Sequence, residues 1–298
     1  MAYTDRVRSA LRAAWHRPPD RLTPLAAAST TRGFLGCVGD QRYVARLVTA
    51  GGRAAVEAGL AAVEHLAARG LPVGRPVRAA NGALAVDAPD GAVALLREVP
   101  GRPLDAGDPL DQQWWGDLLG RVHRETAGFE HPGLLRWHWV RPDVPYLDLE
   151  PWLRPAVADA VAAVTRLTVT DQLTYGVLHG DPLACAFRMD LDTGRTGLVG
   201  WGPAATGPLV YDVAAAVIDA GGPEAAADLL DGYASAGPVG RDELDAALPV
   251  LMRFRWAVQA DWCARRLRTC GGPSVEADGV GEERALLAAA RRALAAAG

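Results

Sequence analysis

The spacing of apolar residues changes character near residue 100. Before it the chain reads as short strand-like runs with one strong helix; after it apolar positions recur at three- and four-residue intervals. An amphipathic helix is predicted over Thr4 to Trp15. TTRGFLGCVGDQRYVARLV then reads as two strands about Gly39-Asp40, a hairpin signal. In RAAVEAGLAAVEHLAARGLPV, Val56, Leu60, Val63 and Leu66 share one helical face, and Gly70 is placed to end the helix. GALAVDAPDGAVALLREVPG supplies two further strands about Asp90-Gly91 and closes at Pro100-Gly101, where the β-rich part is expected to end.

Helix dominates from DQQWWGDLLGRVHRETAGF onward, with Gly128 as its stop. Glu130 to Pro155, rich in Trp and Pro, predicts an irregular connection with a short helix, and AVADAVAAVTRL predicts another helix. CAFRMD and TGLVGW are strand-like and flank the turn LDTGR. LVYDVAAAVIDAG, AAADLLDGYASAG, RDELDAALPVLMRFRWAVQADWCARRL and GEERALLAAARRALAAA predict the closing helices.

A chain of 298 residues, half of them hydrophobic, is long enough for two lobes with substantial cores. A net charge of -4 supplies no general pull toward nucleic acid or an acidic membrane, so neither is expected as a partner. All 31 basic residues are arginines, a usage suggesting a high-GC bacterial source; any task usually given to Lys falls to Arg or goes unfilled. Cys37, Cys185, Cys263 and Cys270 are scattered without a Cys-x-x-Cys pair, which argues against a zinc site or a disulfide framework. The charged, amphipathic start is unlike a signal peptide, and no apolar run approaches the roughly 20 residues of a membrane span. A reducing cytoplasm is the expected compartment.

The chemistry-bearing stretch is VLHGDPLACAF. Together with YVARL, EAGLAAVEHLAARGLPV, LLGRVH, GLVGWGPAATGPLVYDVAAAV and FRWAVQADWCARR, in this order and spacing, it resembles the aminoglycoside phosphotransferase family. The resemblance covers most of the chain. It implies an α+β, two-lobed protein-kinase-like fold: a β-rich lobe with one main helix over 1–100, and a mainly helical lobe carrying the His-Gly-Asp loop over 101–298.

The resemblance also implies roles. Asp181 takes the position of the catalytic Asp, which orients or deprotonates an acceptor hydroxyl, and His179 that of the loop's structural His. Arg46 stands where a cation holds nucleotide phosphates, with Glu57 on the next helix as its partner; Arg keeps the charge but changes the geometry. Asp212, at a helix start, is a scaffold residue bracing the loop. Asp148, Asp261 and Trp262 are the substrate-side candidates, within a wider set that includes Asp143, Glu150, Trp137, Trp139 and Trp152. Cys185 is a candidate nucleophile if its thiolate is stabilised, and otherwise a small packing residue.

The pattern breaks at the metal ligands. The position of the metal-binding Asn holds Ala186, and the Asp that should precede Trp201 is replaced by Gly200. Neither side chain offers magnesium an oxygen. No metal ligand is therefore assigned; ATP or GTP remains a candidate cofactor. Three functions follow: a phosphotransferase-like pseudoenzyme using its cleft for ligand or partner binding or for repurposed acid-base chemistry, in bacterial specialised metabolism; an active ATP-dependent phosphotransferase acting on a hydroxyl of a small molecule or peptide; or a non-catalytic partner subunit of a modifying enzyme.

Overall fold

A computed structural model describes residues 3–16, 21–25, 31–49, 52–88, 91–137, 140–170, 172–269 and 277–296. Asp90 of the second predicted turn, Trp139 and Cys270 lie outside the described residues. Helix α1 (Tyr3–Trp15) leads into β1 (Leu22–Pro24), β2 (Thr31–Val38) and β3 (Gln41–Thr49); after α2 (Arg53–Ala68) come β4 (Ala85–Ala88) and β5 (Gly91–Arg97). The five strands form one antiparallel sheet in the order β1-β2-β3-β5-β4.

Side chains alternate across this sheet as the pleat requires. On one face Ala45 and Leu47 of β3 and Val93 and Leu95 of β5 pack with Val7 and Leu11 of α1. On the other, Val44, Arg46 and Val48 of β3 and Ala94 and Leu96 of β5 line a cavity. Arg46 is thus turned into the cleft by register, and its β2 neighbour Gly33 leaves room for the guanidinium.

Helix α2 is buried on two sides. Leu60 packs with Ala85, Ala92 and Ala94 of the sheet, whereas Ala62, Val63 and Leu66 belong to the core of the larger lobe. His65 Nε2 hydrogen-bonds the carbonyl of Glu125, further tying the helix to that lobe.

The larger lobe begins with β6 (Arg102–Pro103) and α3 (Pro109–Glu125). Asp108 caps α3 by accepting hydrogen bonds from the Leu110 and Asp111 amides, with Pro109 in the first turn. Then come β7 (Leu135–Arg136), a 3-10 turn at Pro145–Leu149, α4 (Leu153–Thr170), β8 (Tyr175–Leu178), β9 (Phe187–Asp190), β10 (Arg195–Leu198) and β11 (Ala205–Pro208). Helices α5 (Val210–Asp219), α6 (Ala227–Ala236), α7 (Arg241–Thr269) and α8 (Ala277–Ala296) complete it. Two small sheets, β10-β9-β6 and β7-β11-β8, hold the segment between β8 and β9 from either side. This is the two-lobed kinase-like architecture, and the helix and hairpin pattern predicts its main elements. No helix of the described residues is long and apolar enough to cross a membrane.

Candidate functional site

Strand β8 ends at Leu178, and His179, Gly180 and Asp181 form the loop that follows. Gly180 has φ +89, and a Cβ there would lie 2.4 Å from the Pro203 carbonyl oxygen, so both backbone and space require glycine.

The loop is held from behind by Asp212, which is fully buried in the first turn of α5. Its Oδ2 accepts from the His179 amide at 2.6 Å and lies 3.2 Å from His123 Nε2, while Oδ1 accepts from the Gly180 amide at 3.0 Å. His123 Nδ1 in turn meets the Tyr233 hydroxyl at 2.8 Å. The His179 ring stacks edge-on against Trp201, and its Nε2 lies 3.0 Å from the Val199 carbonyl. A carbonyl only accepts, so Nε2 carries the proton; burial pushes this imidazole below its ordinary pKa and keeps it neutral.

Asp181, about half exposed, projects toward the cleft and is met by Arg255 of α7. Arg255 Nη2 donates to Asp181 Oδ1 at 3.2 Å, and Nη1 donates to the Gly180 carbonyl at 3.2 Å and the Tyr211 hydroxyl at 3.1 Å. Burial works against the Arg255 charge, but Tyr211 and Asp181 outweigh it and hold the guanidinium above its usual range. Arg255, His123 and Tyr233 are site residues that sequence reasoning missed, although the first two lie in the quoted segments FRWAVQADWCARR and LLGRVH.

In front of the loop, between the five-stranded sheet and the larger lobe, lies a cavity of about 580 Å³. Its walls include Leu25, Val44, Val48 and Leu96 from the small lobe, and His179, Asp181, Cys185, Ala186, Arg188 and Gly200 to Pro203 from the large one. The Trp201 indole Nε1, buried at this wall, has no hydrogen-bond partner among the described residues. Arg46 and Arg188 enter from opposite sides. Neither has a carboxylate partner among the described residues; Arg188 Nη1 donates to the backbone carbonyls of Cys185 and Phe187. Desolvation of the half-buried guanidinium, and then the Arg188 charge, push Arg46 below its ordinary pKa.

The expected pair of Arg46 with Glu57 is not formed. Glu57 Oε1 accepts from Arg53 Nε at 3.1 Å, one turn earlier on α2, and Arg53 also contacts Asp87. The substrate-side candidates are not gathered at the cavity wall either. Asp261 is buried and accepts from the Tyr146 hydroxyl at 2.9 Å; burial and this carboxylate push Tyr146 up to about 12. Asp148 pairs with Arg154 at 2.7 Å, and Trp262 lies under the Arg266 guanidinium. Trp137 packs on Tyr211 and Phe254. Partial burial, then Asp219 and Asp181, push the Cys185 thiol up, so the loop does not stabilise the thiolate a nucleophile needs.

The two positions at which the resemblance implies magnesium ligands supply no oxygen. Ala186 and Gly200 both line the cavity without an oxygen-bearing side chain, and no grouping of three His, Cys, Asp or Glu among the described residues could hold a metal ion. Gly200 has φ +97, so its backbone itself favours glycine. The cavity combines apolar walls with the guanidiniums of Arg46 and Arg188, neither of which has a carboxylate partner among the described residues.

Residues 21–246 match the phosphotransferase enzyme family. An uncharacterized protein of Deinococcus radiodurans is 31% identical over 248 residues, covering 75% of this chain and 70% of that one. A homoserine kinase of Methylobacillus glycogenes is 28% identical over 204 residues, covering 66% of this chain and 63% of the kinase, so the chain spans less than two thirds of that enzyme. Among solved structures, an amicoumacin kinase in complex with AMP-PNP and Ca2+ has a TM-score of 0.76 at 17% identity, covering 98% of this chain and 93% of that one. A microcompartment-associated aminopropanol kinase has a TM-score of 0.74 at 18% identity, covering 93% of each chain. These structures share the fold, and the sequence match extends across both lobes: the chain belongs to the phosphotransferase enzyme family.

Proposed function

We propose that this family member is a phosphotransferase-like pseudoenzyme: its cleft binds an anionic, nucleotide-like ligand without the protein anchors that ordinary Mg-ATP phosphoryl transfer needs. It acts through that binding, through contact with a partner, or through acid-base chemistry at Asp181. The observation that carries the reading is the pairing of two gaps with two charges. Ala186 and Gly200 withhold the oxygens a metal requires, while Arg46 and Arg188 project uncompensated positive charge into the same cavity. Arg46 would grip a phosphate with its planar fork, and the apolar walls would exclude water from the remainder of the ligand.

A second reading, an active phosphotransferase on a hydroxyl of a small molecule or peptide, is favoured by one feature. Asp181 remains half exposed at the cleft, and Arg255 fixes its direction. In that reading Asp181 receives the proton of the acceptor hydroxyl. The homoserine kinase relative keeps small hydroxylated acceptors in view.

Calorimetric titration of ATP and GTP, each with EDTA and with excess magnesium, separates the two. The expected outcome is that magnesium does not tighten binding. Tightening by about tenfold or more, equivalent to about 1.4 kcal/mol, together with turnover that Asp181→Asn abolishes, would establish the active phosphotransferase instead.

A further inference from the structure

Strand β9 places Arg188 by the same alternation that places Arg46 on β3. Phe187 and Met189 are buried in the large-lobe core, so the residue between them faces the opposite way, into the cleft. Asp181, Glu98 and Arg97 at the cavity wall each have a side-chain partner, whereas among the described residues Arg188 is met only by the Cys185 and Phe187 backbone carbonyls. Asp181 is held by Arg255, Glu98 by Arg42 and Arg97 by Gln41. What remains is a pair of guanidiniums, one from each lobe, close enough for the charge of one to disfavour the other.

We propose that Arg46 and Arg188 together form a metal-independent site for the phosphate chain of a di- or triphosphate, with Arg188 supplying from the protein the positive charge that magnesium would otherwise bring. This rests on the reading of the cleft given above and adds a ligand class to it. Two guanidiniums on opposite walls suit a chain of linked anionic groups better than a single carboxylate, because each fork can take oxygens of a different phosphate. The site should therefore prefer a polyphosphate free of metal. Magnesium bound to the ligand cancels the charge that the arginines recognise and brings a cation toward two others, so it should weaken binding.

The test is calorimetry with inorganic triphosphate and with ADP, each in EDTA and in excess magnesium, on the wild type, Arg188→Ala, Arg188→Gln and Arg46→Met. The two probes distinguish an inorganic from a nucleoside source of the phosphate chain: equal affinity points to the former, and tighter ADP to a nucleoside held by the apolar walls. The wild type is expected to bind in EDTA and to bind more weakly in magnesium. Each variant is expected to lose about tenfold or more, the scale of a charge-assisted hydrogen bond. Arg188→Gln retains a donor for the Cys185 and Phe187 carbonyls and separates loss of charge from loss of loop structure. Arg46→Met should melt no lower than the wild type, since it removes a half-buried charge without a carboxylate partner among the described residues; a structural role for Arg46 predicts the reverse.

If nucleotide binding is indifferent to magnesium and both Arg188 variants bind as the wild type does, the inference falls while the reading of the cleft stands. If magnesium tightens binding about tenfold, that reading falls and takes the inference with it. If the wild type binds neither probe at millimolar concentration, the polyphosphate site is overturned and partner contact is left as the role of the cleft.

Discussion

The loop carrying Asp181 has two faces that obey different rules. Behind it, the Asp212 carboxylate accepts the His179 and Gly180 amides, and His123 links that carboxylate to Tyr233; the whole group is buried. In front of it two of the charged side chains that face the cavity, Arg46 and Arg188, lack acidic partners among the described residues, and the two positions at which the resemblance implies metal ligands carry no oxygen. A buried network that is fully connected rigidifies a loop, whereas uncompensated charge at a cavity destabilises the ligand-free protein and favours an anion. The loop is thus fixed by buried partners on one side and borders charge without acidic partners on the other.

The largest test of this contrast lies behind the loop. Asp212→Ala removes the acceptor of two buried amides and the partner of His123, and is expected to destabilise the protein by about 3 kcal/mol or more. Urea denaturation measures it. A loss under about 1 kcal/mol would show that water replaces the carboxylate and that the loop is not held from this side.

In front of the loop the decisive changes are restorations. Gly200→Asp forces a side chain onto φ +97 and is expected to cost about 1–3 kcal/mol, while Ala186→Asn, at an ordinary backbone position, should cost less. Thermal melting of each single variant checks this order. The double variant supplies both missing oxygens, yet the nearby Arg188 charge opposes a divalent cation, so no magnesium-dependent tightening of ATP is expected from it. A folded double variant that does gain such tightening would show that the two faces differ from an ordinary kinase cleft by those two side chains alone.

The division between elements legible in the sequence and elements that were not follows from range. Both small-lobe hairpins and the long helices are local patterns, so turn residues and helical spacing announce them. Strand β11 is not announced: ATGP contains Gly and Pro and is a strand only because Ala205 and Thr206 find Leu178 and Val177 on β8. Strands β6 and β7, of two residues each, are too short for any period. At the site, motif order placed Asp181, His179 and Asp212 around one loop, but the partner of Asp181 is 74 residues away and His123 is 89 from Asp212. No spacing rule reaches that far. Two misses were local. The i,i+4 pair of Arg53 with Glu57 could have warned that the acid was taken, and the apolar flanks of Arg188 mark it as facing away from the core.

The smallest expected effect is the one that most sharpens the comparison. Asp181 and Asp212 are carboxylates on either side of the same loop, yet one is about half exposed and the other fully buried. Asp181→Asn keeps the shape and an oxygen for Arg255 while removing the charge, and a pair this exposed on one side contributes about 0–1 kcal/mol. Its effect on stability should therefore lie within about 1 kcal/mol, against the several expected for Asp212→Ala. The effect on binding has a definite sign as well: losing a negative charge beside Arg46 and Arg188 should leave affinity for free ADP unchanged or modestly tighter. Urea denaturation and calorimetry on the same preparation measure both. If Asp181→Asn destabilises as much as Asp212→Ala, Asp181 belongs to the scaffold, and the boundary between the buried support and the cavity surface has to be drawn on the cavity side of it.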